Sequence, residues 1–272
     1  MEETTKIQWT WRRIPLSNGQ FLIIPGYTFN PWIGCMKVAK ECQFCYAEGL
    51  ALRWGWDVWG PATNTPRRVT SPTNWKKPLK WNKEAASQGH RRSVFCASLA
   101  DIFEDHPDIV EARLDLWTLI EQTPWLNWLL LTKRPENILR MAPWGQGSWP
   151  DNIWTGTSAG TQKKAQENVS YLLEVPSAVR FVSCEPQLEY VNFTPWLPYL
   201  QWIICGGESG TKARPFHLDW ARALRDQCLE YGVPYFFKQV GGHYHDSGGR
   251  ELDGRTWDEI PPEVKEKTNE RA

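Results

Sequence analysis

Residues 30–48 read NPWIGCMKVAKECQFCYAE and place three cysteines, Cys35, Cys42 and Cys45, within eleven positions, just after an apolar run at Tyr27–Ile33 that reads as the first of a series of strands. Thiolates crowd together when a metal, a cluster or a disulfide holds them. Three ligands rather than four leave one coordination position open, and an open position is where chemistry happens, whereas closed four-ligand sites are mostly structural. The stretch marks the chain as an enzyme candidate.

The other cysteines narrow the choice. Seven are present, at 35, 42, 45, 96, 184, 205 and 228. Their odd count and wide scatter argue against a disulfide framework, and 272 residues build a core without staples. A zinc site wants a second Cys or His pair at close spacing, but the next cysteine is Cys96 and the nearest histidine is His90, so zinc needs a distant fourth ligand. Three unrelated buried thiols are a coincidence of spacing. An iron–sulfur cluster with three protein ligands suits soft thiolates and the CQFC pair best. The opening MEETTKIQW carries no apolar signal segment, and no run approaches the roughly 18 apolar residues of a membrane span. A soluble, reduced, cytoplasmic protein is expected.

Outward from the cysteines, β-rich runs at 93–98, 125–131, 152–157, 179–184, 201–206 and 234–240 bring the number of strands to about seven. Amphipathic stretches with helix punctuation lie between them: Pro107 in a first turn, Thr161 as a cap, Gly232 as a stop before Pro234. This alternation predicts an α/β chain of parallel βαβ units, one partial (β/α) barrel over 1–272, with a doubly wound open sheet as the runner-up. Small, polar or acidic residues follow each strand, at Ser98–Asp101, Thr132–Arg134, Thr157–Gly160, Cys184–Glu185, Gly206–Gly210 and Lys238–Gln239, and would ring one mouth. A hairpin is expected at about 11–27 around Asn18-Gly19, and residues 252–257 read as a turn that tucks Trp257 back.

The charges sum to zero, so global electrostatics select no partner. Their distribution is uneven. Between Pro66 and Arg92, eight basic residues face one acid, Glu84, and three prolines interrupt helix formation. Arg67, Arg68, Lys76, Lys77 and Lys80, interleaved with Trp75 and Trp81, have the composition of a nucleic-acid groove in an insertion at about 60–92, and equally that of a solvated surface. Of 18 tryptophans, Trp54, Trp56 and Trp59 follow the cysteine stretch and are placed to floor a substrate cleft. His243 and His245 flank Tyr244 in a segment that reads as a solvated loop.

The cysteine stretch together with LLLTKRPEN, GTSAG, SCEPQLE, GGESGTKARPFHLDWARALRDQC, PYFFKQVGG and LDGRTWDE resembles a phage-associated three-cysteine-motif family, a divergent branch of the radical S-adenosylmethionine (radical SAM) enzymes. The matching motifs run in order over almost the whole chain. The resemblance implies a partial (β/α)6-type barrel with a 4Fe–4S cluster on Cys35, Cys42 and Cys45 and S-adenosyl-L-methionine on the open iron. Reductive cleavage then yields a 5′-deoxyadenosyl radical that abstracts a hydrogen atom, the electron coming from a donor such as flavodoxin or ferredoxin. It implies Phe44 near the adenine, Ser98 and Asp101 near the methionine end, Ser158 and Glu185 near the ribose, and Gly206, Gly207 and Glu208 close to the cofactor. Cys184 and Cys205, at strand ends, are candidate hydrogen donors, while Cys96 and Cys228 read as core. The six-residue gap between Cys35 and Cys42 departs from the three-residue gap commonest in the wider superfamily, and the hairpin departs from the family's shorter opening. DNA, RNA or a nucleotide is the expected substrate, in the cytoplasm of a bacterial host if phage-encoded; the alternative is a non-catalytic nucleic-acid-binding protein with a structural iron–sulfur or zinc centre.

Overall fold

The β-branched and aromatic runs all become strands. A computed structural model describes residues 4–17, 20–244 and 247–262. In chain order the elements are β1 (Arg12–Pro15), β2 (Phe21–Ile24), β3 (Tyr27–Thr28), β4 (Trp32–Ile33), α1 (Tyr46–Arg53), β5 (Arg68–Val69), α2 (Pro72–Trp75), α3 (Lys77–Gln88), β6 (Arg92–Cys96), α4 (Val110–Glu121), β7 (Leu126–Thr132), α5 (Ile138–Met141), β8 (Ile153–Ser158), α6 (Gln162–Leu173), β9 (Val179–Cys184), β10 (Trp202–Gly206), α7 (Leu218–Tyr231), β11 (Tyr235–Gln239), β12 (Glu251–Leu252) and β13 (Arg255–Thr256).

Seven strands form one parallel sheet in the order β3-β6-β7-β8-β9-β10-β11. Each strand pairs with the next one of the series. That order never reverses, so the doubly wound alternative, which needs a switch point in mid-sheet, is excluded. Right-handed crossovers wound in a single direction put every helix on one face. The other face must then bury itself, and it does so by curling. Phe95, Leu129, Trp154, Phe181, Trp202, Ile204 and Phe236, contributed by six strands, meet in one inner cluster. Their alternate neighbours Val94, Trp128, Leu130, Val182, Ile203 and Phe237 face the helices, as the two-residue strand period requires. The result is a partial barrel whose end strands, β3 and β11, do not pair with each other.

The N-terminal segment supplies what the open seam lacks. Trp9, 4% exposed, joins the inner cluster with its ring 4.6 Å from that of Phe95 and 6.1 Å from that of Trp202. The 3-10 turn that carries it touches both β6 and β11. The chain then runs into the expected hairpin, with β1 antiparallel to β2 and Arg12 opposite Ile24; Asn18-Gly19 lies outside the described residues. The turn at 252–257 also forms, between β12 and β13, and Trp257 donates back to the Leu252 carbonyl at 3.1 Å.

The reading of 60–92 as a basic insertion needs correcting. Its prolines start helices instead of breaking them: Pro72 and Pro78 stand in the first turns of α2 and α3, where a missing N–H costs nothing. Helix α3 is the crossover from β3 to β6 and buries Trp81 and Ala85 against the sheet. A 3-10 turn at Pro107–Ile109 leads into α4 and is capped by His106, whose side chain accepts from Asp108 N; α6 is capped by Thr161, which accepts from Lys164 N. Helix α7 stops at Gly232.

Candidate active site at the barrel mouth

Pro31 ends β3 early, because it lacks the N–H that the ladder needs next. The chain turns into β4 and reaches Gly34, where a φ of +119° and a Val58 carbonyl oxygen 2.5 Å from where a Cβ would stand leave no room for a side chain. Cys35 follows directly. Cys42 closes a 3-10 turn, and Cys45 is the residue from which α1 starts. All three border a cavity of about 830 Å³ at the C-terminal ends of the sheet strands, the end at which parallel barrels carry their sites. Thr132, Ser158, Ser183, Glu185, Lys238 and Gln239 supply the rim; Trp9, Phe95 and Leu131 reach it from the barrel interior. The volume is that of a small-molecule site.

A buried ionic lattice holds the cysteine loop. Arg134 donates to Asp101 at 3.0 Å, to the Met36 carbonyl at 2.7 Å and to Glu104 at 3.4 Å, and its Nη1 lies 3.5 Å from Cys35 Sγ. Met36 N donates to Glu104 at 2.8 Å, so both backbone polar groups of the residue after Cys35 are fixed. Arg67 completes the lattice, binding Glu104 through Nε at 2.8 Å and Nη2 at 2.9 Å. Burial opposes the Arg134 charge, but the Asp101 and Glu104 carboxylates outweigh it and raise its pKa. The Cys35 thiol is pushed up to about 12 by burial, with Arg134 pulling the other way. That sulfur is therefore protonated at neutral pH and must give up its proton to bind a metal.

On the opposite wall, Glu208 forms a bidentate pair with Arg214, at 2.9 Å through Nε and 2.8 Å through Nη2. Arg214 in turn donates to the Lys40 carbonyl at 3.0 Å and stands 5.3 Å from the Phe44 ring. Glu41 anchors the same loop to the turn after β8 by accepting from Gly160 N at 3.0 Å. Its Oε2 is buried without a hydrogen-bond partner among the described residues. Lys133 Nζ lies 3.2 Å from Ser158 Oγ and has no carboxylate partner among the described residues, whereas Lys238 pairs with Glu185 at 3.0 Å.

Phe44, Ser98, Asp101, Ser158, Glu185, Gly207 and Glu208 all border the cavity with the three cysteines. Several are otherwise engaged than the sequence suggests. Asp101 spends both oxygens on Thr132, Phe103, Lys133 and Arg134 and is 5% exposed. Glu208 reaches the cysteine loop only through Arg214. Gly206 is absent from the lining, and it makes room for the Glu185 carboxylate, which approaches its would-be Cβ to 2.7 Å; Gly207 does the same for the Val240 carbonyl at 1.9 Å. Cys184 and Cys205 do not face the mouth. Both are fully buried on the helix side of the sheet, because strand alternation turns them outward while Ser183 and Glu185 turn in. Of the three tryptophans proposed as a floor, Trp59 borders the cavity, while Trp54 and Trp56 pack on each other at 5.0 Å.

The basic groove also comes apart. Arg67 is buried in the lattice, and Trp81 stacks on Tyr27 at 4.2 Å inside the fold. Trp75 packs edge-on to Phe29 at 5.4 Å. Arg68, exposed, covers Trp56 at 4.2 Å; Lys76 and Lys80 are exposed, and Lys77 is half-buried. His243 is exposed beside Tyr244, and His245 lies outside the described residues. Glu104, Arg214, Glu41 and the Thr5–Trp11 segment are site residues that sequence reasoning missed, although Glu41 and Arg214 stand inside the motifs quoted for the resemblance. Arg134 was expected at the mouth, but not against Cys35.

Residues 5–261 match the family described as "Protein of unknown function (DUF5131)". The chain belongs to that family. Comparison of this DUF5131 chain with curated proteins finds no match. Among solved structures it is similar to two mutants of spore photoproduct lyase, at 12% and 10% identity and TM-scores of 0.42 and 0.43, over 75% and 84% of this chain. The DUF5131 chain spans 61% and 65% of the length of those two proteins. Among its described residues, no helix is long and apolar enough to cross a membrane.

Proposed function

We propose that this chain is a radical SAM-type enzyme whose Cys35, Cys42 and Cys45 hold a 4Fe–4S cluster at the barrel mouth. The observation that carries the reading is that all three thiols border one cavity at the C-terminal end of a partial parallel barrel. Three soft thiolates beside one cavity suit a cluster with one iron left open to a small molecule.

When bound, the cluster and S-adenosylmethionine supply reductive cleavage of the sulfonium and a radical able to remove a hydrogen atom. The chain's own groups bind and orient. Glu41 Oε2, buried and without a donor, suits the ammonium of an amino acid, and Lys133 Nζ suits its carboxylate. Phe44 offers a ring face to the adenine, with Arg214 fixing its loop; Ser158 and Glu185 offer acceptors to the ribose. Leu131, Phe95 and Trp9 keep the floor dry. Nucleic acid or a nucleobase is the proposed substrate and a flavodoxin- or ferredoxin-type protein the electron donor; exposed Arg68, Lys76 and Lys80 are the groups left to meet phosphates.

The test is anaerobic reconstitution and reduction with S-adenosylmethionine. 5′-Deoxyadenosine is expected, and Cys42→Ala should abolish it; a fully clustered, reduced sample that forms none supports the non-catalytic nucleic-acid-binding alternative. In a gel-shift assay, Lys76→Ala with Lys80→Ala is expected to weaken binding and flatten its salt dependence.

A further inference from the structure

We infer that the Arg134 guanidinium sets the reduction potential of the proposed cluster by donating an N–H bond to the sulfur of Cys35. The inference rests on the cluster reading above and goes beyond it. Arg134 is 5% exposed, and its Nη1 stands 3.5 Å from Cys35 Sγ. Its position is overdetermined, since Asp101, Glu104 and the Met36 carbonyl each take one of its N–H groups. A guanidinium so held keeps its charge at every working pH. Neither Cys42 nor Cys45 receives a side-chain donor among the described residues, so the cation acts at one ligand of the three.

The sign follows from electrostatics. Reduction adds one electron to the cluster, and a fixed cation in a water-poor site stabilises the added charge, raising the potential. Asp101, which accepts from the same Nη1 that faces Cys35, acts oppositely as a fixed anion. Arg134 thus touches a ligand and tunes it, while Asp101 and Glu104 position Arg134.

The experiment is an electron paramagnetic resonance redox titration of the anaerobically reconstituted full chain, with iron and sulfide content measured alongside. At the wild-type midpoint, Arg134→Gln should lower the reduced-to-oxidised ratio at least tenfold, equal to about 59 mV for a one-electron couple. Asp101→Asn should move the ratio the other way, and Arg134→Lys should fall between wild type and Arg134→Gln. A merely structural role would lower cluster content without opposed shifts. Should Arg134→Gln fail to fold or load, the other two variants decide: ratios within twofold of wild type overturn the inference. A wild-type chain that assembles no cluster brings down this inference together with the proposed function. A wild-type cluster indifferent to Arg134 and Asp101 brings down this inference alone.

Discussion

Arg67 shows how far a charged side chain can sit from where its neighbours suggest. It lies in the most basic stretch of the chain, yet its guanidinium is buried against Glu104 and the carbonyls of Val58, Gly60 and Thr65. Removing one partner of such a pair strands the other charge, which costs about 3–5 kcal/mol. Arg67→Met is therefore expected to lose about that much stability in equilibrium urea unfolding, with no selective loss of nucleic-acid binding. Residue type told nothing of this, because a run of arginines reads the same whether it meets water or a buried carboxylate 37 positions on. The three cysteines were legible because clustered thiols have few reasons to exist. Cys184 and Cys205 were misjudged by one step of strand register, and one step exchanges the two faces of a sheet.

Secondary structure was read most reliably where a local cause dominates. All seven sheet strands lie where β-branched and aromatic runs stand, and α6 and α7 begin and end on the residues that suggested them. The Thr161 side chain accepts from Lys164 N at 3.3 Å; Thr161→Ala should cost about 1 kcal/mol in thermal or urea melts. Elements failed where punctuation has two meanings. Pro72 and Pro78 were taken as interruptions, although proline is equally a first-turn residue. The first strand was drawn through to Ile33, but Trp32–Ile33 pairs with Arg68–Val69 in a separate ribbon, a long-range contact that no local pattern announces.

The whole molecule depends on its N-terminal segment, which the sequence presented as a mere prelude to a hairpin. Trp9 fills the interior of a barrel whose end strands do not meet, so Trp9→Ala should cost about 3–5 kcal/mol, seen as a lower melting temperature. The core also carries a signature in pH. Burial pushes the Cys205 thiol up to about 12 from an ordinary 9.0, and raises Cys96, Cys184 and Cys228 as well. These thiols stay neutral in the fold but ionise when unfolded, so their contribution is complete below about pH 9 and is lost as pH climbs toward 12. Urea unfolding of metal-free protein at pH 8 and pH 10 should show that decline, and Cys205→Ala should make it shallower. Because Thr5 and Lys6 belong to the cavity wall, the doorway is shaped by the same segment that plugs the barrel. A bulky label attached at Lys6 should therefore crowd the entrance and depress turnover for reasons unrelated to chemistry, a handicap that its removal should relieve.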